Sequence, residues 1–181
     1  LRDLRAINLV NRLDETESIG AGREAIQRLG TADSSIATRE ILKALDSPSF
    51  SIRNEAIYAL ANVPWDDSVE SALIEELSRN EYTTAHVAAR MLGKRGTPKA
   101  IAPLRRALRS DDYLLKAKAA VALARLRDRD SFKPIGELLL TSPNPLVVIH
   151  AAAALRLYEE RRGVRWLFEA LTREELDTYV A

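Results

Sequence analysis

The chain has 181 residues, 46% hydrophobic and 29% charged, with 27 Lys plus Arg against 26 Asp plus Glu and no Cys. This composition predicts about one ordered, soluble globular domain and excludes charge-biased disorder, disulfide frameworks, thiolate zinc sites and cysteine nucleophiles. No apolar run approaches the roughly 18 residues of a membrane span and no segment has the layout of a signal peptide. A cytoplasmic location is therefore the default expectation, and the start at Leu1 rather than Met predicts a piece of a longer polypeptide.

Residues 1–20 open with Leu1, Leu4, Ile7, Val10 and Leu13 at helical spacing, followed by Asp14-Glu15-Thr16-Glu17-Ser18. They are expected to form a capping or linker helix. From residue 21 to 181 a repeat takes over. A Leu with a small residue four positions earlier recurs at Ala25/Leu29, Ala56/Leu60, Ala88/Leu92, Ala119/Leu123 and Ala151/Leu155, in steps of 31, 32, 31 and 32. A second ladder runs through Leu45, Leu77, Leu108, Leu140 and Leu171. Two interleaved ladders imply two elements per repeat. Apolar spacings of three and four, as in Ile52, Ala56, Ile57 and Leu60, make both elements helices. An aromatic stands ten residues before the register leucine at Phe50, Tyr82 and Tyr113, with Pro145 in the fourth copy. Asp46-Ser47-Pro48, Asn62-Val63-Pro64, Gly96-Thr97-Pro98 and Thr141-Ser142-Pro143-Asn144-Pro145 supply stops and caps.

The first helix of each pair is expected to end near the second ladder's leucine and the second near the first ladder's. The second helices fall near 22–30, 50–62, 82–93, 113–126 and 146–158. Small residues beside each leucine let neighbouring helices approach, and stacking buries the remaining apolar faces in one continuous core. The expected fold is all-α: an α-solenoid of about five two-helix repeats in a right-handed superhelix. A half repeat from Gly163-Val164-Arg165-Trp166 to Glu174-Glu175-Leu176-Asp177 is expected to close the array.

The run from Ser47 to Leu60, SPSFSIRNEAIYAL, resembles the turn and second helix of the short HEAT-like repeats of phycobilin lyase-related proteins, and the resemblance covers roughly residues 22 to 171. The arginine this family often carries stands only at Arg53, with Ala85, Lys116 and Val148 at the matching positions. Leu13-Asp14-Glu15, Gly20-Ala21-Gly22-Arg23 and Glu81-Tyr82-Thr83-Thr84-Ala85 are also similar to HEAT-like regions that follow the membrane part of some bacterial transporters of the major facilitator type. That likeness implies a cytoplasmic domain appended to a transporter, with the membrane reached only through an upstream region.

Catalytic chemistry is hard to place on this sequence. His86 and His150 sit six and five residues before their register leucines and are followed by Val87 and Ala151, so neither forms the His-Glu pair a di-iron centre needs. No nucleophile stands beside a base. Asp66-Asp67, Glu75-Glu76, Asp111-Asp112 and Glu174-Glu175 are adjacent pairs, which do not face one another as an acid and base must. Gly20-Ala21-Gly22 follows no strand and reads as a helix boundary. The expectation is a chain without enzyme activity or cofactor, and a bilin-type lyase reading has no catalytic residue to name.

Charge is unevenly spread. Residues 1–89 carry a net −6, residues 90–129 a net +9 and residues 130–181 a net −2. Within the basic island Lys94, Arg95, Lys99, Arg105, Arg106 and Arg109 are candidate anion-binding residues for nucleic acid or an anionic surface. At the positions of the second helices that line the inner surface of such stacks, Asn54, Tyr58, His86, Arg90, Lys94 and Arg125 form a candidate partner-binding groove, and Ile149 and Leu157 an apolar end. Tyr and Arg are the types that anchor interfaces. The sequence therefore reads as a scaffold that presents a surface to a protein partner or to an attached domain of the same chain, with nucleic-acid binding as the lesser alternative.

Overall fold

The computed structural model describes residues 19–30, 35–79 and 84–158, without the side chains of residues 19–23. The expected N-terminal helix before residue 19, Tyr82 and the closing half repeat from Gly163 lie outside the described residues. Among the described residues there are nine α-helices and no strand. None of these helices is long and apolar enough to cross a membrane. The chain divides into two compact units, Leu1–Glu76 and Leu77–Ala181.

The first unit contains α1 (Ile19–Gly30), α2 (Ser35–Ala44), α3 (Phe50–Ala59) and α4 (Asp67–Glu76). Ala25, Ile26 and Leu29 of α1, Ala37, Ile41 and Ala44 of α2, and Ile52, Ala56 and Ile57 of α3 are buried, each set at spacings of three and four that place it on one side of its helix. α1 packs on α2 and α3, and α2 packs on α3 and α4. Glu55 is buried on α3, where Gln27 Nε2 of α1 donates to its carboxylate at 3.0 Å. Asp66 starts α4: its Oδ1 accepts from the backbone N–H groups of Ser68 and Val69, both at 2.9 Å. The Ser68 hydroxyl, and then these amide bonds, hold the Asp66 carboxyl below its ordinary value against a small opposing effect of burial.

The second unit contains α5 (Ala85–Arg95), α6 (Ile101–Ala107), α7 (Tyr113–Arg125), α8 (Phe132–Thr141) and α9 (Pro145–Leu157). Turns of 3₁₀-helix at Pro98–Ala100 and Arg129–Ser131 lead into α6 and α8. α7 lies between α5 and α9 and packs on both; α6 lies against α7, and α8 against α9. The small side chains of α7 allow this: Ala117, Ala119, Ala120, Ala122 and Ala124 are buried around Leu123. α5 approaches α7 closely at Gly93, where a Cβ would lie 2.5 Å from the Ala122 Cα.

Leu29, Leu60, Leu92, Leu123 and Leu155 are all fully or almost fully buried, as are the small residues four positions before them. In the second ladder Leu45 and Leu108 are buried while Leu77 and Leu140 are half-buried. α2, α4, α6 and α8 end beside this second ladder, and α1, α3, α5, α7 and α9 beside the first. Phe50, Tyr113 and Pro145 share one role, the first residue of α3, α7 and α9, which explains why proline fits the aromatic's register. In front of each of these three helices a serine shapes the turn. Ser47, Ser110 and Ser142 Oγ accept from the backbone N–H of Ser49, Asp112 and Asn144 at 3.2, 3.1 and 3.3 Å. Asp112 Oδ1 then accepts from Leu114 N–H at 2.8 Å and Asn144 Oδ1 from Leu146 N–H at 2.9 Å, satisfying donors the helix leaves unpaired.

Candidate interaction surface

Of the six groove residues expected from the register, Asn54 and Tyr58 belong to α3 in the first unit; Asn54 is half-buried and Tyr58 is exposed. The other four belong to the second unit. His86, Arg90 and Lys94 follow one another at intervals of four along α5, so they share a side of that helix. His86 is half-buried, while Arg90 and Lys94 are exposed. Arg125 is the exposed last residue of α7. At the equivalent positions Ala117 is fully buried and Val121 half-buried, so the α7 part of this surface is apolar until Arg125.

On α9 the same side is aliphatic. Ile149 is 65% exposed and Leu146 37% exposed. Ala153 is exposed and Leu157 half-buried one and two turns further on. A polar clasp joins α9 to α7 here. Lys118 Nζ lies 2.9 Å from His150 Nε2, and His150 Nδ1 lies 2.8 Å from the Leu146 carbonyl. An ammonium only donates, so Nε2 is the acceptor, and the tautomer these partners assign carries its proton on Nδ1 and donates it to Leu146.

The candidate anion-binding residues are spread over α5, the turn after it and α6. Lys94 and Arg95 end α5, Lys99 sits in the following 3₁₀ turn, Arg105 and Arg106 lie on α6, and Arg109 lies just beyond it. Lys94, Arg95, Lys99, Arg106 and Arg109 are exposed. Arg105 is committed elsewhere: its guanidinium holds the buried Asp128 carboxylate through two hydrogen bonds and reaches Asp130 Oδ2 at 2.7 Å. These carboxylates raise the Arg105 pKa further above its ordinary value. Burial pushes the Asp128 carboxyl up, but hydrogen bonds from Arg105 and Ser131, with the Arg105 charge, more than offset it and hold the group below its ordinary value.

Asp128 also marks the end of α7. Arg127 has φ 58°, in the left-handed region, and the Asp128 N–H donates to the Leu123 carbonyl at 3.1 Å while the Arg127 N–H donates to Ala124. This is a Schellman ending with arginine where glycine is usual. The Tyr158 hydroxyl donates to the Asp128 carbonyl at 2.8 Å, and its ring stands edge-on to Phe132 at 5.4 Å, tying the end of α9 to the same loop.

Sequence reasoning missed a cleft of about 270 Å³ in the second unit, lined by Leu77, Ser78, Arg79, Arg106, Ser110 and Asp112 among others. Its residues come from three separate stretches of chain, and no local motif announces them. Among the described residues no group of three or more His, Asp or Glu could hold a metal ion.

A family model described as HEAT repeats matches residues 70–156. Three solved structures share the fold. An engineered protein from the Northeast Structural Genomics Consortium is similar at 23% identity and TM-score 0.57, over 94% of this chain and 90% of its own. Human deoxyhypusine hydroxylase in complex with glycerol is similar at 19% identity and TM-score 0.59, over 93% of this chain and 67% of its own. A second engineered protein from the same consortium is similar at 22% identity and TM-score 0.52, over 94% of this chain and 51% of its own. At these identities the likeness is one of fold. No curated protein matches the sequence.

Proposed function

We propose that this chain is a non-catalytic HEAT-repeat scaffold that binds a protein partner or another domain of its own polypeptide. The observation that carries the reading is the register surface of α5, α7 and α9, which leaves Arg90, Lys94, Arg125 and Ile149 exposed while the ladder leucines of the same helices are buried. The match of residues 70–156 to HEAT repeats supports it, because such arrays present extended surfaces for binding. Tyr58 and Arg90 are the residue types that dominate interface energetics. The test is affinity capture from the native host's extract with the chain and with a Tyr58→Ala/Arg90→Glu variant. The variant is expected to keep its helical spectrum and urea midpoint and to lose a partner that the unmodified chain retains. Undiminished capture of every partner would refute both register surfaces, that of α3 and that of α5.

A second reading rests on the exposed cations. Among the described residues Lys94, Arg106 and Arg109 are exposed and enter no ion pair, so the island supports binding of nucleic acid or an anionic surface. Fluorescent DNA and RNA titrated across a salt series, with anionic vesicles in parallel, test it. Affinity that falls steeply with salt and vanishes when Lys94, Arg95 and Arg106 are neutralised would favour this reading; no binding at low salt would eliminate it.

A further inference from the structure

Resting on the scaffold reading, we infer that the α5–α7–α9 layer of the second unit docks an acidic amphipathic helix of a partner protein. Charge is the first ground. These three helices carry seven Lys and Arg residues and two histidines but no Asp or Glu. The second helices of the first unit, by contrast, include Glu24 and Glu55. Helices that carry no carboxylate of their own and expose Lys94 and Arg125 favour a partner that brings acid and disfavour one that brings base.

The second ground is the aliphatic stripe. Leu146, Ile149, Ala153 and Leu157 recur at intervals of three, four and four along α9, which places them on one side of it. Ile149 is the most exposed large aliphatic of the described residues, at 65%. At the same register on α7 stand buried Ala117 and half-buried Val121, and the Lys118–His150 contact joins the two helices. Neighbouring helices pack about 8–10 Å apart, so a helix of about 10 Å diameter laid along this seam covers aliphatics on α9. Its flank then faces Arg125 and, beyond it, Arg90 and Lys94.

Nucleic acid fits less well. Sequence-tolerant strand binding relies on aromatic platforms, and Tyr113 is the one aromatic on these three helices, with Lys116 Nζ placed 5.7 Å from its ring centroid. A phosphate backbone would also leave Leu146 and Ile149 uncovered.

The test is fluorescence anisotropy with the whole chain and three labelled synthetic peptides of about five helical turns. One has leucines at helical spacing with glutamates on their flanks, the second replaces every glutamate by lysine, and the third scrambles the first. The glutamate peptide is expected to bind. Its affinity should fall at least about tenfold in Ile149→Glu and in Lys94→Glu/Arg125→Glu, with helical content and urea midpoint unchanged in both variants. Neither control peptide should bind. Equal binding of the scrambled peptide, or of single-stranded DNA with no sensitivity to Ile149→Glu, would overturn the docking site in favour of a diffuse anion surface. Equal binding of the lysine peptide would overturn the acidic partner while the scaffold reading stands. Should no peptide bind while Tyr58→Ala/Arg90→Glu still loses a captured partner, this site is refuted and the scaffold is not.

Discussion

The separation of α5 and α7 makes the sign of one substitution decisive. Glycine inside a helix costs about 1 kcal/mol relative to alanine, so Gly93→Ala would stabilise α5 if Gly93 met open space. Instead, an added Cβ lies 2.5 Å from Ala122 Cα and 2.7 Å from Ala122 Cβ. Ordinary contact begins near 3.4 Å, so the helices must part by about 1 Å. The obstructing atom is backbone and cannot rotate away. Parting the helices also loosens Leu92 and Leu123, both fully buried beside this contact. Overpacking of this kind costs about 1–3 kcal/mol, with a backbone clash at the upper end, so the net expectation is a loss of about 1–2 kcal/mol. Urea denaturation followed by far-ultraviolet circular dichroism should show a lower midpoint with an unchanged slope, and heating a fall of about 2–4 °C for each kcal/mol. Gly30, also one residue after its register leucine, would place a Cβ 3.0 Å from the Ala59 Cβ. Its substitution should be nearer neutral. A Gly93→Ala protein as stable as the parent, or more so, would refute the close approach of α5 to α7.

Two further predictions concern the loop after α7. Asp128→Asn removes a charge that Arg105 and Ser131 hydrogen-bond and should cost about 1.5–3 kcal/mol near neutrality. Because the folded Asp128 carboxyl lies below its unfolded value of about 3.9, its contribution is complete above that pH and is lost as pH falls through the folded value. Urea midpoints of parent and variant should therefore converge as pH falls below the unfolded value, and a gap that stays constant on acidification would refute the assignment. Arg127→Gly relieves a left-handed conformation worth roughly 1–2 kcal/mol and gives up the 2.8 Å bond from Arg127 to the Leu157 carbonyl. The expected result is a gain of up to about 1 kcal/mol by the same denaturation assay, and a loss larger than that would show that the side-chain contact dominates.

Periodicity made the helices legible. Leu29, Leu60, Leu92, Leu123 and Leu155 could be read from the sequence because burial at helical spacing writes a recurring pattern into residue type. Ser47 and Ser142 lie in runs that read as stops and caps, but their kinship with Ser110 emerges only once the three Oγ atoms are seen to accept the turn N–H groups. Other features left no local mark. Arg105 reads as one more cation of the island, yet its partners Asp128 and Asp130 stand 23 and 25 residues away. The end of α7 carries arginine rather than glycine in the left-handed position, so composition does not announce it. The groove was legible as a register but not as an exposure: Ala117, at a position nominally facing outward, is fully buried because the approach of neighbouring helices excludes water from it.

The two sets of helices in the second unit handle charge differently, and that difference bears on function. Around α6 and α8, Arg105 meets Asp128 and Asp130, and Lys133 lies 3.8 Å from Glu137. Compensation there is internal. α5, α7 and α9 themselves carry cations and no carboxylate, and like charges on packed helices weaken the compact state through repulsion. Folding does not require this arrangement, since the buried ladder and the small-residue contacts that join these helices are uncharged. Exposed Lys94 and Arg125 thus share a layer with the exposed Ile149, and a partner that brought both acid and an apolar side would gain from each.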